Sequence, residues 1–169
     1  MKYLIIFLLA LPSILVAQNA TPCESEKAHQ FDFWMGEWNL TWKDQAGKTL
    51  KGKNTITKKL GSCVLEESFT DPNSSFDGMS ISVYSPLLDK WQQTWVDNQG
   101  AYLDFVGEFA DGKMILSRNF KNKAGKIIHQ RMIWYNISKE SFDWNWENSS
   151  DQGATWNLAW QIHYERAKP

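Results

Sequence analysis

Three polar side chains interrupt apolar faces of predicted strands and could carry chemistry. Glu67 stands in register with Leu65 and Phe69, while Arg118 and Gln93 also alternate with apolar residues. Side chains two residues apart in a strand share a face, so all three are predicted to point into the interior. Charged groups are rarely buried unless they are paired or hydrogen bonded. Glu67 and Arg118 are therefore expected to form an internal ion pair or to fix the polar head group of a ligand, unless a bulge turns one of them towards water.

A catalytic role for Glu67 is the second interpretation. Burial raises the pKa of a carboxyl group, so a buried Glu67 could act as a general acid or base. Glu66 cannot assist it, because adjacent strand residues face opposite sides of a sheet. The sequence contains no Gly-rich phosphate loop, nucleophile elbow, zinc-ligand spacing or Ser/His/Asp arrangement. We therefore expect no cofactor and no catalytic centre.

The elements that must position these residues are strands. From Gly36 onwards, apolar and polar residues alternate between short turn signals, and no long apolar stripe at helical spacing occurs. This pattern predicts an all-β fold in which about ten antiparallel strands follow one another up and down and close into a single barrel. The predicted strands are residues 36–42, 50–60, 63–69, 78–84, 91–96, 102–109, 114–120, 127–135, 142–147 and 156–166.

Aromatic side chains dominate the faces that this alternation turns inward. The 169 residues include 10 Trp and 9 Phe, which is more ring surface than a small solid core needs. Large rings fill a narrow, tapering barrel poorly, so an enclosed cavity is expected, the alternative being that the rings fill the interior. The predicted cavity lining is Trp38, Trp91, Trp95, Trp144, Trp146, Trp156 and Trp160. Other residues predicted to face inward are Leu40, Trp42, Met79, Ile81, Val83, Leu103, Phe105, Phe109, Phe142, Leu158, Ile162 and Tyr164.

The N-terminus has the pattern of a secretory signal peptide over residues 1–17. Lys2 precedes an apolar run at residues 3–16, and the small residue Ala17 follows it. The run is shorter than the roughly 20 residues of a membrane-spanning helix, although an N-terminal membrane anchor is the alternative. The mature protein is therefore expected in the periplasm or outside the cell, with no membrane association after cleavage. Residues 18–30 are predicted to be loosely structured, and residues 31–169 to form the barrel domain.

Two further observations limit the partners and the covalent chemistry. The chain has 18 Lys and Arg against 19 Asp and Glu, so it lacks the basic surface of a nucleic-acid-binding protein. Cys23 and Cys63 would enter an oxidising compartment, where two thiols can pair, and their spacing matches no metal site. The disulfide would tie the N-terminal segment to the barrel; otherwise Cys63 is a small buried apolar residue.

Five stretches carry a family resemblance: FDFWMGEW at 31–38, LGSCVLEE at 60–67, YSP at 84–86 leading to Lys90 and Trp91, TWVD at 94–97, and SDQGATW at 150–156. Over about residues 29–166 the chain resembles a family of small bacterial proteins catalogued as a domain of unknown function. Its members have calycin-like β-barrels, related in shape to lipocalins, fatty-acid-binding proteins and nitrobindins. The resemblance implies a barrel with a ligand-sized interior, and it supplies no activity.

The resemblance also implies roles for three residues. Barrels of this kind pack a first-strand Trp, here Trp38, beneath a basic side chain from the last strand, here Arg166. A cation over an indole face contributes about 0.5 to 2 kcal/mol. Nitrobindin-like relatives bind haem through a histidine near the C-terminus, where this chain has His163. Because His163 alternates with residues predicted to face inward, we expect it to face outward, and haem binding is the lesser alternative.

The interpretation that the sequence favours is an exported carrier of a small, largely apolar or aromatic molecule, held in an internal cavity. An enzyme that uses Glu67 as a buried acid or base is the alternative, and recognition of sugars by exposed aromatic residues is a weaker one. The predicted ligand-binding residues are Trp38, Glu67, Trp91, Gln93, Trp95, Arg118, Trp144, Trp146 and Trp160.

Overall fold

The computed structural model describes residues 22–168, which form a closed antiparallel barrel of ten strands. Each strand pairs with the next along the chain, and the first pairs with the last. The strands are β1 (Gly36–Lys43), β2 (Thr49–Lys59), β3 (Val64–Asp71), β4 (Phe76–Ser85), β5 (Lys90–Asp97), β6 (Tyr102–Ala110), β7 (Lys113–Lys121), β8 (Ile127–Tyr135), β9 (Ser141–Ser149) and β10 (Asn157–Arg166). The predicted all-β barrel is confirmed, and every predicted strand end lies within two residues of the observed one.

The residues outside this range include the predicted signal peptide at residues 1–17, which lies beyond the described part of the chain. Within residues 22–168, no helix is long and apolar enough to span a membrane. The described part of the segment predicted to be loosely structured, residues 22–30, contains the short 3₁₀ helices Pro22–Glu24 and Glu26–His29.

Tight hairpins connect the strands where the sequence has turn residues. Between β6 and β7, Asp111 and Gly112 have φ angles of 51° and 73°. Positive φ at both central residues is the requirement of a type I′ turn, whose twist matches that of the flanking strands, and Asp-Gly is a preferred pair for it. Local chemistry of this kind explains why the sequence located the strands well.

An aromatic plug, residues 31–34, closes the end of the barrel where β1 begins. It includes the 3₁₀ helix Asp32–Trp34, and both Phe31 and Trp34 are fully buried. The Phe31 ring stacks on Trp34 at 4.8 Å between centroids and meets the rings of Trp91 and Trp134 edge-on at 5.4 and 5.0 Å. The plug therefore belongs to the hydrophobic core.

The predicted contact between Trp38 and Arg166 is present beside the plug. The Arg166 guanidinium lies 4.2 Å from the centre of a Trp38 ring, and its Nη1 donates to the Met35 carbonyl at 2.9 Å. Trp38 Nε1 donates to the Trp34 carbonyl at 2.8 Å. A Cβ at Gly36 would lie 2.6 Å from Arg166 Nη1, so the close approach of the guanidinium requires glycine there. Together these contacts join the first strand, the last strand and the plug.

The disulfide between Cys23 and Cys63 is formed, with 4.9 Å between the two Cα atoms. It ties the N-terminal segment to the connection between β2 and β3 at the plugged end of the barrel. A cross-link that closes a loop of 40 residues restricts the unfolded chain and contributes roughly 4 kcal/mol in the chain-entropy model.

In β4 the structure reverses the predicted faces. Ser80 and Ser82 are fully buried, because the register pairs Ser80 with Glu67 of β3 and with Trp95 of β5, both of which point inward. Ser80 donates a hydrogen bond to the Glu67 carboxylate, so a polar residue is the better interior choice at this position. The prediction of an inward face is wrong for Met79, Ile81 and Val83.

In β10 a β-bulge reverses the first part of the strand. Leu158 pairs with Glu147 but Trp160 pairs with Trp146, so one extra residue separates them. The residues of β10 that precede the bulge therefore face the opposite side of the sheet from the predicted one. Leu158 is 55% exposed, and Trp156 lies on the outer surface with the Arg131 guanidinium 4.0 Å above its ring. The predicted inward position is wrong for Trp156 and Leu158.

Candidate functional site

The interior of the barrel beyond the plug contains a cavity of about 280 Å³. It extends from Trp134, which contacts the plug, towards the end of the barrel where β5 finishes at Asp97. At roughly 30 Å³ for each water-sized group, it has room for about nine or ten non-hydrogen atoms. The structure thus favours an open interior over one that is filled by rings. The cavity is lined by Glu67, Phe69, Phe76, Gln93, Trp95, Asp97, Leu103, Met132, Trp134, Trp144, Trp146, Trp160, Ile162 and Tyr164.

Six of the sequence-predicted ligand residues meet at this cavity, and three do not. Trp38 and Trp91 are buried nearer the plug, where Trp38 packs against Phe142 and Trp91 against Phe31, and neither lines the cavity. Arg118 also lies outside the lining. The predicted residues that line it are Glu67, Gln93, Trp95, Trp144, Trp146 and Trp160.

The internal ion pair between Glu67 and Arg118 is absent from the described structure. Three strands separate β3 from β7 in the barrel, which places the two side chains on different walls. The Arg118 guanidinium donates to Gln130 Oε1 at 3.2 Å and lies over the Phe105 and Phe120 rings at 5.7 and 5.1 Å. The prediction of this pair is wrong, and Glu67 faces the cavity without a basic partner.

The Glu67 carboxylate is held by two neutral donors. Asn54 Nδ2 donates to Oε1 at 2.7 Å, and Ser80 Oγ donates to Oε2 at 2.5 Å. The same Asn54 nitrogen donates to the Tyr164 hydroxyl at 3.3 Å. All four side chains are buried. These contacts define the Glu67 cluster, which consists of Asn54, Glu67, Ser80 and Tyr164.

Burial decides the charge of this cluster. It raises the pKa of Glu67 to about 7, although the hydrogen bonds from Ser80 and Asn54 oppose the shift. Burial, together with the nearby charge of Glu67, raises the pKa of Tyr164 well above its ordinary value of 10. Near neutral pH, Glu67 therefore exchanges between its protonated and ionised forms while Tyr164 keeps its proton.

A second carboxylate, Asp97, lies where β5 ends. Its Oδ2 accepts from Trp95 Nε1 at 3.1 Å, and its Oδ1 accepts from the backbone N–H groups of Gln99 and Ala101 at 3.0 Å each. Partial burial raises its pKa, but these hydrogen bonds outweigh it and lower the pKa below the ordinary value of 3.8. Asp97 is therefore ionised at neutral pH, and it holds one of the cavity's indole rings in place.

Gln93 completes the polar part of the cavity wall. It is buried, and its Nε2 donates to Ser82 Oγ at 2.8 Å. The register places Ser82 and Gln93 side by side on β4 and β5. The inward serines of β4 thus anchor two polar lining residues, Glu67 through Ser80 and Gln93 through Ser82.

His163 lies on the outer surface, as its alternation predicted. Its side chain is half exposed, and its Nδ1 lies 2.8 Å from Asp143 Oδ1. It does not line the cavity. Among residues 22–168, no group of three or more His, Cys, Asp or Glu side chains is arranged to hold a metal ion.

Several residues of the cavity lining and of the Glu67 cluster were not identified as site residues from the sequence. Asn54 alternates with the buried Ile56, and this parity was the available signal for its inward position. Trp134 lies on β8, whose two faces both carry apolar residues, so alternation could not assign it. Asp97 lies one residue beyond the predicted end of β5, and its spacing of two residues from Trp95 was the available signal that the two side chains share a face. Phe69, Leu103, Ile162 and Tyr164 were predicted to share the inward face but not to line a cavity. Phe76, Asp97, Met132 and Trp134 were given no inward position.

Comparison with known proteins gives no family for this chain. No protein-family model matches it, and no curated protein matches it in sequence. The barrel and the chemistry of its cavity are therefore the features that point to a function.

Proposed function

We propose that this calycin-like barrel is a carrier that binds a small, largely apolar or aromatic molecule in its cavity. The observation that supports this most directly is the cavity of about 280 Å³ inside an aromatic barrel. Cavities walled by aromatic rings, with a few polar groups to set orientation, are typical small-molecule sites. Glu67 and Gln93 are placed to orient a polar end, while the indole rings contact the apolar part.

The expected affinity follows from the buried apolar surface. Full burial of a side chain the size of Leu is worth about 1.5 to 3 kcal/mol. Two or three such groups contribute about 3 to 9 kcal/mol, and the cost of association, about 4 kcal/mol or more, leaves at most about 5 kcal/mol, which corresponds to a Kd of roughly 0.2 mM or weaker.

Calorimetric titration with indole, a neutral aromatic molecule of suitable size, tests the cavity. Leu103→Trp adds an indole ring at a lining position of β6 and is expected to weaken binding more than about tenfold. The control is Tyr102→Trp, since Tyr102 is the adjacent, exposed residue and points outward. Equal binding by both variants, or no binding of indole to the wild-type protein, would contradict the proposed site. A native mass spectrum of protein from its own source would show a retained ligand directly.

We also propose that the protein is exported to the periplasm or the extracellular space. The pattern of Lys2, an apolar run and Ala17 supports export, and the disulfide fits an oxidising compartment. The intact mass of the protein recovered from its native host is expected to correspond to a chain that begins near Gln18. A mass that includes Met1 would refute cleavage.

A further inference from the structure

We infer that the ligand of this cavity is an organic cation, namely an apolar or aromatic molecule with a protonated amine. This inference rests on the proposed function, because it names the chemical class of molecule that the cavity takes. It is carried by the charge of the lining, by the hydrogen-bonding groups of the Glu67 cluster and by the indole walls.

The ionisable groups of the lining are all acidic or phenolic. Glu67 lies within the wall and Asp97 at the end of β5, and no Lys, Arg or His is among the described residues that line the cavity. Arg118, the basic residue that the sequence suggested, is not part of the lining, and its guanidinium donates to Gln130 and lies over the rings of Phe105 and Phe120. A carboxylate ligand, such as a fatty acid, would meet two acidic groups and no counter-charge, which disfavours its entry.

The Glu67 cluster has more hydrogen-bond acceptors than donors. The ionised carboxylate can accept about four hydrogen bonds and receives two, from Asn54 and Ser80. Oδ1 of Asn54, a buried residue of the cluster that is not itself part of the cavity lining, has no hydrogen-bond partner in the described structure. An ammonium group has three N–H donors and no acceptor, so it matches this excess of acceptors.

The indole rings that line the cavity also favour a cationic ligand. Indole is the best of the aromatic rings at attracting a cation over its face, and the attraction strengthens when the cation is removed from water. Four indoles are available, and their neighbouring rings face different directions. The rings of Trp144 and Trp160 meet at 88° with 5.7 Å between centroids, and those of Trp144 and Trp146 at 56° with 6.2 Å. Rings at right angles present faces in different directions, as in aromatic cages that hold ammonium groups. Of the five indoles that line the cavity, Trp134 packs against the plug, and the other four are Trp95, Trp144, Trp146 and Trp160.

The first experiment is calorimetric titration of the wild-type protein at about pH 8 with three probes of similar size: 2-phenylethylamine, 2-phenylethanol and phenylacetate. We expect the amine to bind at least about tenfold more tightly than the alcohol, the factor that corresponds to one favourable ion pair. Phenylacetate is expected to show no measurable binding.

Single-residue variants identify which carboxylate of the cavity binds the ammonium group. Glu67→Gln is expected to weaken amine binding about tenfold or more and to leave alcohol binding within about threefold. Glu66→Gln is the matched control, because Glu66 is the neighbouring carboxylate on the outer face of β3, where it contacts Lys59. Asp97→Asn, which keeps a side-chain oxygen for the turn, provides a second variant if the first fails to fold.

Proton release gives an independent readout. At about pH 6 most Glu67 is protonated, so amine binding, which needs the ionised form, is expected to release up to about one proton. The other ionisable groups that line the cavity, Asp97 and Tyr164, keep their charge states in this range. Titration in two buffers of different ionisation enthalpy measures the release, which 2-phenylethanol and the Glu67→Gln variant are not expected to show.

The outcomes separate the inference from the proposed function. If the alcohol or phenylacetate binds as tightly as the amine, the inference that the ligand is a cation is refuted, while the cavity remains a binding site. If the amine binds best but neither Glu67→Gln nor Asp97→Asn weakens it, the assigned charges are wrong and the inference is overturned. If none of the three probes, nor indole, binds at millimolar concentration, the proposed carrier function itself fails.

Discussion

The wild-type protein is expected to lose stability as the pH rises from about 5 to about 8, and the Glu67→Gln variant is expected not to show this loss. The folded protein holds the Glu67 proton with a pKa of about 7, against an ordinary value of 4.5. The folded state therefore binds this proton more tightly than the unfolded state. The stabilisation is complete when the pH is below the pKa of Glu67 in the unfolded state. It is lost as the pH rises through the pKa of Glu67 in the folded state. This difference between the folded and unfolded pKa values corresponds to about 3 kcal/mol in the free energy of unfolding.

The glutamine side chain can occupy the same place without carrying a charge. Its amide oxygen can accept from Asn54, and the Ser80 hydroxyl, which donates or accepts, can turn to accept from its amide nitrogen. Above about pH 8 the variant is therefore expected to be more stable than the wild-type protein, because no ionised group is buried.

Urea unfolding at the two pH values measures this effect. The quantity to compare is the difference between wild-type and variant, because the ionisable groups that the two proteins share contribute equally to both. Glu66→Gln is expected to keep the wild-type pH dependence, since Glu66 is on the outer face beside Lys59. An undiminished loss of stability in Glu67→Gln would show that Glu67 is not the group that titrates.

The barrel was predictable because its signals are local. Strand alternation and turn residues such as Asp111 and Gly112 act over a few positions, so the sequence located ten strands and their order. The inward indoles of β5 and β9 followed from the same alternation. Contacts that depend on register across strands were beyond such reasoning, and the hydrogen bond from Asn54 of β2 to Glu67 of β3 is one of them.

The two strands whose faces were mispredicted show why alternation fails. In β4 the polar Ser80 and Ser82 face inward because they bind Glu67 and Gln93, so the residues that alternate with them, Met79 and Ile81, are exposed. In β10 the bulge before Trp160 adds one residue to the register, and no residue type marks it in the sequence. Both departures lie beside residues that line the cavity, since the two serines contact Glu67 and Gln93 and the bulge precedes Trp160.

The plug was visible in the sequence as a motif but not as a structure. The stretch at residues 31–34 contains three aromatic residues without strand or helix periodicity, and residues 18–30 before it were predicted to be loosely structured. Its burial depends on the open end of a barrel that forms from distant strands, and on the disulfide that holds the preceding segment there. The sequence therefore placed residues 31–34 in a family motif within the predicted barrel domain but did not indicate that they fill one end of the barrel.

Phe31→Ala is expected to lower the free energy of unfolding by about 3 to 5 kcal/mol, the usual cost of truncating a large buried aromatic residue. The Phe31 ring is completely buried, and it touches the rings of Trp34, Trp91 and Trp134. These indoles pack against strands on several sides, so they cannot collapse easily into the space that the ring leaves. Their Nε1 atoms, already buried without partners, would border an empty apolar void.

Phe33→Ala is the matched control, because Phe33 belongs to the same plug but is only partly buried, with its ring against Phe109 and Phe142. Its truncation is expected to cost clearly less than that of Phe31, since less apolar surface is removed from the core. Urea unfolding of both variants, with the disulfide kept oxidised, measures the difference. A loss below about 1 kcal/mol for Phe31→Ala would mean that the plug rests on the barrel without belonging to its core. The disulfide would then be the main attachment of the N-terminal segment, and reducing it would release the segment while the ten strands stayed folded.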